Sequence, residues 1–362
     1  MYLSNLSYFL GQNMKGLSLF AGAGIGETYL KDCNINISTA NELLPKHANL
    51  YRFFNPDCNM ICGDITDDKV FQKIITDARG IEFLLASPPC QGMSIAGKNR
   101  HQGTMSTDPR NYLITRVFET ISELQPKYVL IENVPMLLKF TIPYHGKQQT
   151  VMEILKHKFG KKYEIQGKIV DAADYGVPQT RLRAIIKMFP VRTKWAWPDP
   201  VKKKVTVREA IGKLPSLEAG ESSNIRWHFA RKHIDRQVLW MKHTPTGNSA
   251  FSNPVYFPKK KDGTRIKGYE SSYRRIRWDE PSPTITIRND AISSQRNVHP
   301  GRLLKNGTYS DARVLSLYEL FLLTSLPKTW CPPTDTPEIL LRQVIGEAIP
   351  PLMIKKIVEG IL

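Results

Sequence analysis

"KGLSLFAGAGIGE", residues 15–27, decides the class of fold. An apolar run of strand length reaches Phe20, and glycines follow at 22, 24 and 26. Glycine at those places lets the main chain turn with positive φ and lets a ligand approach the backbone closely, as a nucleotide-type loop between a strand and a helix requires. It is not a P-loop, because no Gly-Lys-Ser/Thr follows. Taken alone, the loop reads equally as an ordinary tight turn.

Outward from this stretch, short β-rich runs alternate with longer helical ones. "NINISTANE" (34–42), "IEFLLAS" (81–87), "KYVLIEN" (127–133) and "LRAIIKMF" (182–189) are predicted strands. "RNYLITRVFETISELQ" (110–125) and "QTVMEILKHKF" (149–159) carry apolar residues at helical spacing and are predicted helices. Strands alternating with helices imply parallel βαβ units and a doubly wound α/β sheet. From 190 to 310 the periodicity decays into short segments broken by Pro, Gly and charge. "SLYELFLLTSL" (316–326) reads as a helix again, and a terminal helix begins near Pro350. The division expected is one domain over 14–188, completed by 338–362, and a second, irregular domain of β and loop over 189–337.

In an open parallel sheet, ligands bind outside the carboxyl ends of the strands. Glu42 ends the second predicted strand, where an acid would hold ribose hydroxyls. Asp64 of "GDIT" (63–66) stands where an adenine amino group could be met. Each acid alone reads as well as a helix cap or a surface charge; three strand ends in sequence with such chemistry are harder to dismiss. "FLLASPPCQGMS" (83–94) breaks at Pro88-Pro89 and delivers Cys90 past the end of its strand, since proline cannot continue a ladder. Most cysteines fill cores; the prolines and the Gly92, Ser94 and Gly97 that follow make this one a better candidate nucleophile. A thiol reacts as thiolate, and neighbouring cations favour that form. Arg181 and Arg183 of "QTRLR" would supply them, on one face if the stretch is a strand.

Bulk properties narrow the class. The chain has 362 residues, 41% apolar, and five cysteines, an odd and sparse set that fits a reducing compartment and no disulfide framework. Cys58-x-x-x-Cys62 has no second Cys/His pair at ligand spacing, so no metal is expected. No apolar run reaches membrane-spanning length, and the first residues lack the basic region of a signal peptide. Met14 could serve as the start of translation in place of Met1. The formal net charge is +18, and residues 184–310 hold 25 Lys and Arg against 10 Asp and Glu, leaving 26 against 23 elsewhere. A basic excess over more than a hundred residues, interleaved with Trp227, Trp240, Tyr256, Tyr269, Tyr273 and Trp278, predicts a polyanion-binding surface.

With these residues in place, the chain resembles the cytosine-C5 DNA methyltransferases along almost its whole length. "FAGAGIG" is similar to their cofactor loop, "SPPCQGMS" to their catalytic loop, "ENV" (132–134) to their substrate acid, "QTRLR" to their arginine pair and "GEAIPP" to their closing motif, in the family's order. The resemblance implies a Rossmann-like S-adenosylmethionine-dependent fold with a smaller, mostly β and loop DNA-recognition domain. It implies that Cys90 attacks C6 of a flipped-out cytosine, Glu132 holds the N3 and N4 edge, and Arg183 with Arg181 holds the base or its phosphate and favours the thiolate. Phe20, Gly22, Gly24, Glu42, Leu43, Asp64, Ile65, Pro89, Leu113 and Ile349 would contact S-adenosylmethionine, leaving S-adenosylhomocysteine as product. Gln91, Ser94 and Thr284 would contact DNA.

Three positions depart from the family pattern: Ser18 and Glu347, where Asp and Asn are usual, and Ala96, where many relatives carry a small polar residue. The implied setting is a prokaryotic cytoplasm, near the nucleoid, with double-stranded DNA as partner, no membrane, a monomeric enzyme, and a restriction endonuclease linked in function but not bound. An RNA-directed relative would carry a Cys-Phe-Thr element in its recognition region, and none is found. A silent DNA-binding scaffold would not need Cys90, Glu132 and both arginines. A dehydrogenase would explain neither the thiol loop nor the basic segment.

Overall fold

The structure, a computed structural model, describes residues 13–89 and 112–361. The chain forms two compact units. The first comprises Met1–Asp171, Leu182–Pro198 and Ile354–Leu362, and the second Ala172–Arg181 and Asp199–Met353.

The first unit is built on a seven-stranded sheet. Its strands are β1 (Met14–Leu19), β2 (Ile35–Glu42), β3 (Asn59–Cys62), β4 (Phe83–Ala86), β5 (Tyr128–Asn133), β8 (Tyr163–Asp171) and β9 (Leu182–Pro190); β6 (Thr141–Tyr144) and β7 (Lys147–Thr150) form a separate hairpin. The order is β3-β2-β1-β4-β5-β9-β8, with β1 to β5 parallel and β9 antiparallel to both neighbours. β4 and β5 are buried at every residue, which is why they read as unbroken apolar runs rather than alternating ones. The expected α/β class and parallel sheet are borne out.

Helices α1 (Pro45–Phe54), α2 (Asp68–Asp77), α3 (Ile114–Leu124) and α4 (Val151–Phe159) follow strands or the hairpin. α3 places Ile114, Val117, Phe118 and Ile121 on one stripe, and these pack with Leu84, Val129 and Ile131 of the sheet. α4 begins with a capping box in which Thr150 and Glu153 satisfy each other's backbone amides. The loop after β1 does not enter an α-helix as expected. It continues into two 3-10 turns, Ile25–Glu27 and Lys31–Cys33, and Asn34 at φ 55 ends the second so that β2 can start one residue later.

The second unit is held together differently. Among its described residues, pairing is confined to isolated bridges such as Val298 with Val314, with helices at Val207–Ile211, Asp235–Lys242, Leu317–Leu323 and Glu338–Glu347. The compact units do not break at 188/189 and 337/338. Residues 191–198 stay with the sheet because Trp195 packs edge-on to Tyr128 and its indole donates to the Ile357 carbonyl at 2.7 Å. Residues 338–353 join the second unit: Arg342 donates to the carbonyls of Asn289 and Leu315, and a side chain on Gly346 would lie 2.5 Å from the Thr286 and Ile287 backbone. The aromatic residues expected on the basic surface also divide. Trp240, Tyr273 and Trp278 are buried, the first two in a core with Val298 and Val314, whereas Tyr269 is 77% exposed.

Candidate functional site

Because β1 to β5 are parallel, one sheet edge collects the ends of five strands, and β9 starts from that edge. Phe20 and Gly22 leave β1 with φ of 58 and 56, and Gly24 follows at 74. The loop is tied to the next strand by Glu42, whose Oε2 accepts the Gly22 amide at 2.8 Å while Oε1 accepts that of Leu44 at 2.8 Å. Each of those oxygens keeps a further lone pair for a ligand hydroxyl. A Cβ on Gly22 would meet nothing within 4 Å, so the loop faces open space at that residue. Leu43 beside it is 56% exposed, an apolar side chain facing solvent at a strand end. At the end of β3, Asp64 Oδ1 accepts both the amide and the hydroxyl of Thr66 at 2.8 Å, and Ile65 is buried. Phe20 and Leu113 are half-buried against the main core. Glycine loop, apolar side chain and two carboxylates on consecutive strand ends suit a nucleoside with an attached amino-acid part.

The end of β5 carries Glu132, 6% exposed, and Asn133. Antiparallel pairing sets Asn133 opposite Ala184 and Glu132 opposite Ile185. Arg183, beside that register, brings its Nε to 2.8 Å from Glu132 Oε1. Asn133, not singled out in the sequence beyond its motif, donates from Nδ2 to the Pro88 carbonyl at 2.8 Å and accepts the Val134 amide. Ser87 Oγ donates to the Phe20 carbonyl at 3.1 Å. These two bonds thus fix where Ser87 and Pro88 leave β4 and how the glycine loop leaves β1. Cys90, Gln91, Ser94 and Ala96 lie outside the described residues.

The two arginines make different contacts. Arg181 precedes β9, belongs to the second unit and is 3% exposed. Its guanidinium donates to the carbonyls of Ile285 (2.8 Å), Gly346 (2.9 Å) and Glu347 (3.2 Å). It clasps loops of its own unit, while Arg183 is paired with Glu132. Gln179 does similar work, donating to the Leu323 carbonyl and accepting the Ile285 amide. Thr284 is exposed, and its hydroxyl donates to the Thr180 carbonyl at 2.8 Å. Ile349 is buried in the second unit. Among the described residues no group of three or more His, Cys, Asp or Glu could hold a metal ion, and no helix is long and apolar enough to cross a membrane.

A family model described as C-5 cytosine-specific DNA methylase matches residues 14–362. The chain is 56% identical to Type II methyltransferase M1.HgaI of Avibacterium volantium, over 97% of this chain and 98% of the relative. It is 30% identical to Type II methyltransferase M1.HphI of Haemophilus parahaemolyticus, over 96% and 86%. A crystal structure of a candidate DNA modification methyltransferase encoded in an E. coli prophage superposes with a TM-score of 0.69 at 18% identity, covering 96% of this chain and 98% of that one, a likeness of fold.

Proposed function

We propose, from the premise that this chain belongs to the C-5 cytosine-specific DNA methylase family, that it methylates C5 of a flipped-out cytosine in a defined duplex DNA sequence with S-adenosylmethionine. It serves as the modification enzyme of a Type II restriction system in a bacterial cytoplasm. The relatives at 56% and 30% identity, both named Type II methyltransferases, support that setting.

S-adenosylmethionine supplies an electrophilic methyl group. The residues at the sheet edge fit it: Gly22 and Gly24 give close backbone approach, Glu42 is held ready for ribose hydroxyls, Leu43 and Phe20 offer apolar contact to the adenine, and Asp64 and Ile65 border it. Cytosine C5 is a poor nucleophile, so the base must be activated from its other side. Cys90 as thiolate adds to C6, and Glu132 holds the N4 amino group and delivers a proton to N3, which draws electrons away from C6. Arg183 keeps the Glu132 carboxyl in place and adds positive charge near the thiolate. C5, now nucleophilic, would take the methyl group as S-adenosylhomocysteine leaves. Loss of the C5 proton to a solvent base would then re-form the C5–C6 double bond and expel Cys90 as thiolate, the N3 proton returning to Glu132. Extracting the base costs a few kcal/mol, which contacts from the basic segment offset.

The observation that carries the reading is the Glu132–Arg183 pair at 2.8 Å, on the same edge from which Asn133 anchors Pro88. Cys90→Ser is expected to abolish tritiated methyl transfer to duplex DNA while retaining DNA binding in a gel-shift assay. Methylation by that variant, or transfer to tRNA in preference to duplex DNA by the wild type, would overturn the proposal.

A further inference from the structure

Behind the glycine loop lies a buried polar cluster that the reaction above does not use. Ser18 alternates with Leu17 and Leu19, so its side chain points to the sheet face opposite the core those leucines join. There it bonds Glu27 from the first 3-10 turn, which Tyr51 from α1 also bonds. Ser18, Glu27, Tyr51 and Cys58 are all at most 9% exposed. The Tyr51 hydroxyl donates to Glu27 Oε2 at 2.5 Å, the Ser18 hydroxyl bonds the same carboxyl, and Cys58 Sγ lies 3.5 Å from the Tyr51 oxygen. Burial pushes the Glu27 carboxyl up to about 7, against the two hydroxyl donors.

A buried carboxyl costs stability that an apolar side chain would not, so packing alone does not explain it. Its partner explains more. A Cβ added to Gly24 would lie 2.9 Å from Tyr51 Cδ2 and 3.0 Å from Cε2, so the glycine, at φ 74, rests directly on the tyrosine ring. Gly24 also donates to the Ala21 carbonyl and accepts the Glu27 amide. The ring is the floor of the loop, and a directional bond to Glu27 fixes where the floor stands.

We infer that Glu27 and Tyr51 are positioning residues for the cofactor loop: their hydrogen bond holds the tyrosine ring under Gly24 and thereby sets the loop for S-adenosylmethionine. This rests on the assignment of the loop to the cofactor. Ser18 is part of the device. An aspartate there, the residue usual in the family, would press a second carboxyl against Glu27.

The test is calorimetric titration with S-adenosylhomocysteine alongside steady-state methyl transfer to plasmid DNA. Tyr51→Phe, which removes one hydroxyl, is expected to raise the Kd for S-adenosylhomocysteine and the KM for S-adenosylmethionine roughly tenfold, with kcat and the ligand-free melting midpoint unchanged. Ser18→Asp is expected to weaken binding in the same way, and adding Glu27→Gln to restore it. Wild-type affinity in Tyr51→Phe, or a loss of affinity matched by a fall in kcat or melting midpoint, overturns the inference alone. A wild-type protein that binds no S-adenosylhomocysteine overturns the cofactor assignment and the inference with it.

Discussion

The two units satisfy their backbones by different means. In the first, ladders of the seven-stranded sheet pair the amides and carbonyls. In the second, pairing is confined to isolated bridges among the described residues, and buried arginines take the place of ladders. Arg275 donates to the carbonyls of Met241, His299 and Asp311; Arg313 to those of Leu217 and Val314; Arg342 to those of Asn289 and Leu315; Arg181 to three more. Arg313 is also paired with Asp311 at 2.9 Å and Glu319 at 2.8 Å, every side chain essentially out of solvent. An arginine carries five donors in a rigid fork, so one side chain can hold several loop carbonyls that no strand reaches. Irregular loops thereby gain a fixed shape. The basic excess is not consumed in this way: within 184–310 only Lys187 and Arg275 are among the buried cations, so most of it faces solvent.

The largest expected effect attacks that arrangement directly. Arg313→Met leaves Asp311 and Glu319 buried without their partner and is expected to cost about 3–5 kcal/mol in urea unfolding. A change no larger than that of a surface substitution would show that the network is not what holds the unit.

The next comparison uses two arginines two residues apart. Arg183→Ala is expected to lower kcat/KM by about 10²–10³ with little change in melting midpoint, because it removes the partner of Glu132 and, on the proposed function, charge beside the reacting base. Arg181→Ala is expected to cost about 1–3 kcal/mol of stability by orphaning buried carbonyls, with kcat/KM per folded molecule nearly unchanged. The reverse pattern would break the distinction drawn between the sheet edge and the loop clasp.

pH separates the units by sign. Burial, then the Arg313 charge, pushes His299 down to about 3; burial would raise Glu319, but the Arg313 guanidinium, His299 and the Ser316 amide together outweigh it and hold it at about 2. Between about 3 and 6.5 the unfolded chain binds the His299 proton and the folded one does not, so the second unit loses stability as pH falls through that window. Glu27 works the other way. With its folded value raised from 4.5 to about 7, the folded state holds the proton more tightly, and stability is lost as pH rises from 4.5 to 7, by on the order of 3 kcal/mol at most. Glu27→Gln should flatten that slope in the first unit and leave the acid sensitivity of the second. Hydrogen exchange corrected for intrinsic rates, read at the loop near Gly24 and at Val298, checks both; parallel slopes in the two units would refute the contrast.

The smallest effect concerns Asn133. Asn133→Ala removes the bond to Pro88 and is expected to lower kcat about tenfold with unchanged DNA affinity, measured by single-turnover transfer.

Much of the first unit was legible in the sequence, because continuous apolar runs mark buried parallel strands and glycine or proline marks where each one stops. The periodicity of "YLITRVFETISEL" gave α3 for the same reason. α1, α2 and β8 were not picked out, and the turn after Gly24 was misread, since the fifteen residues between β1 and β2 hold only 3-10 turns once Asn34 reverses the chain. In the second unit, Trp240, Tyr273 and Trp278 looked like surface aromatics because nothing local distinguishes a ring that stacks on a nucleic acid from one that fills a core.

By itself the sequence determined the chemistry at the sheet edge: strands of one direction must end together, so residues that follow them in "FAGAGIG", "NE", "GDIT" and "ENV" are brought to one side whatever the helices do. Only the tertiary structure decided how the arginine pair divides. Arg181 finds its carbonyls 104, 165 and 166 residues away, while Arg183 finds Glu132 across a ladder register. Period-two spacing puts both on one face. Which of them meets the acid depends on where the strand begins, and that is set by partners the local sequence does not contain.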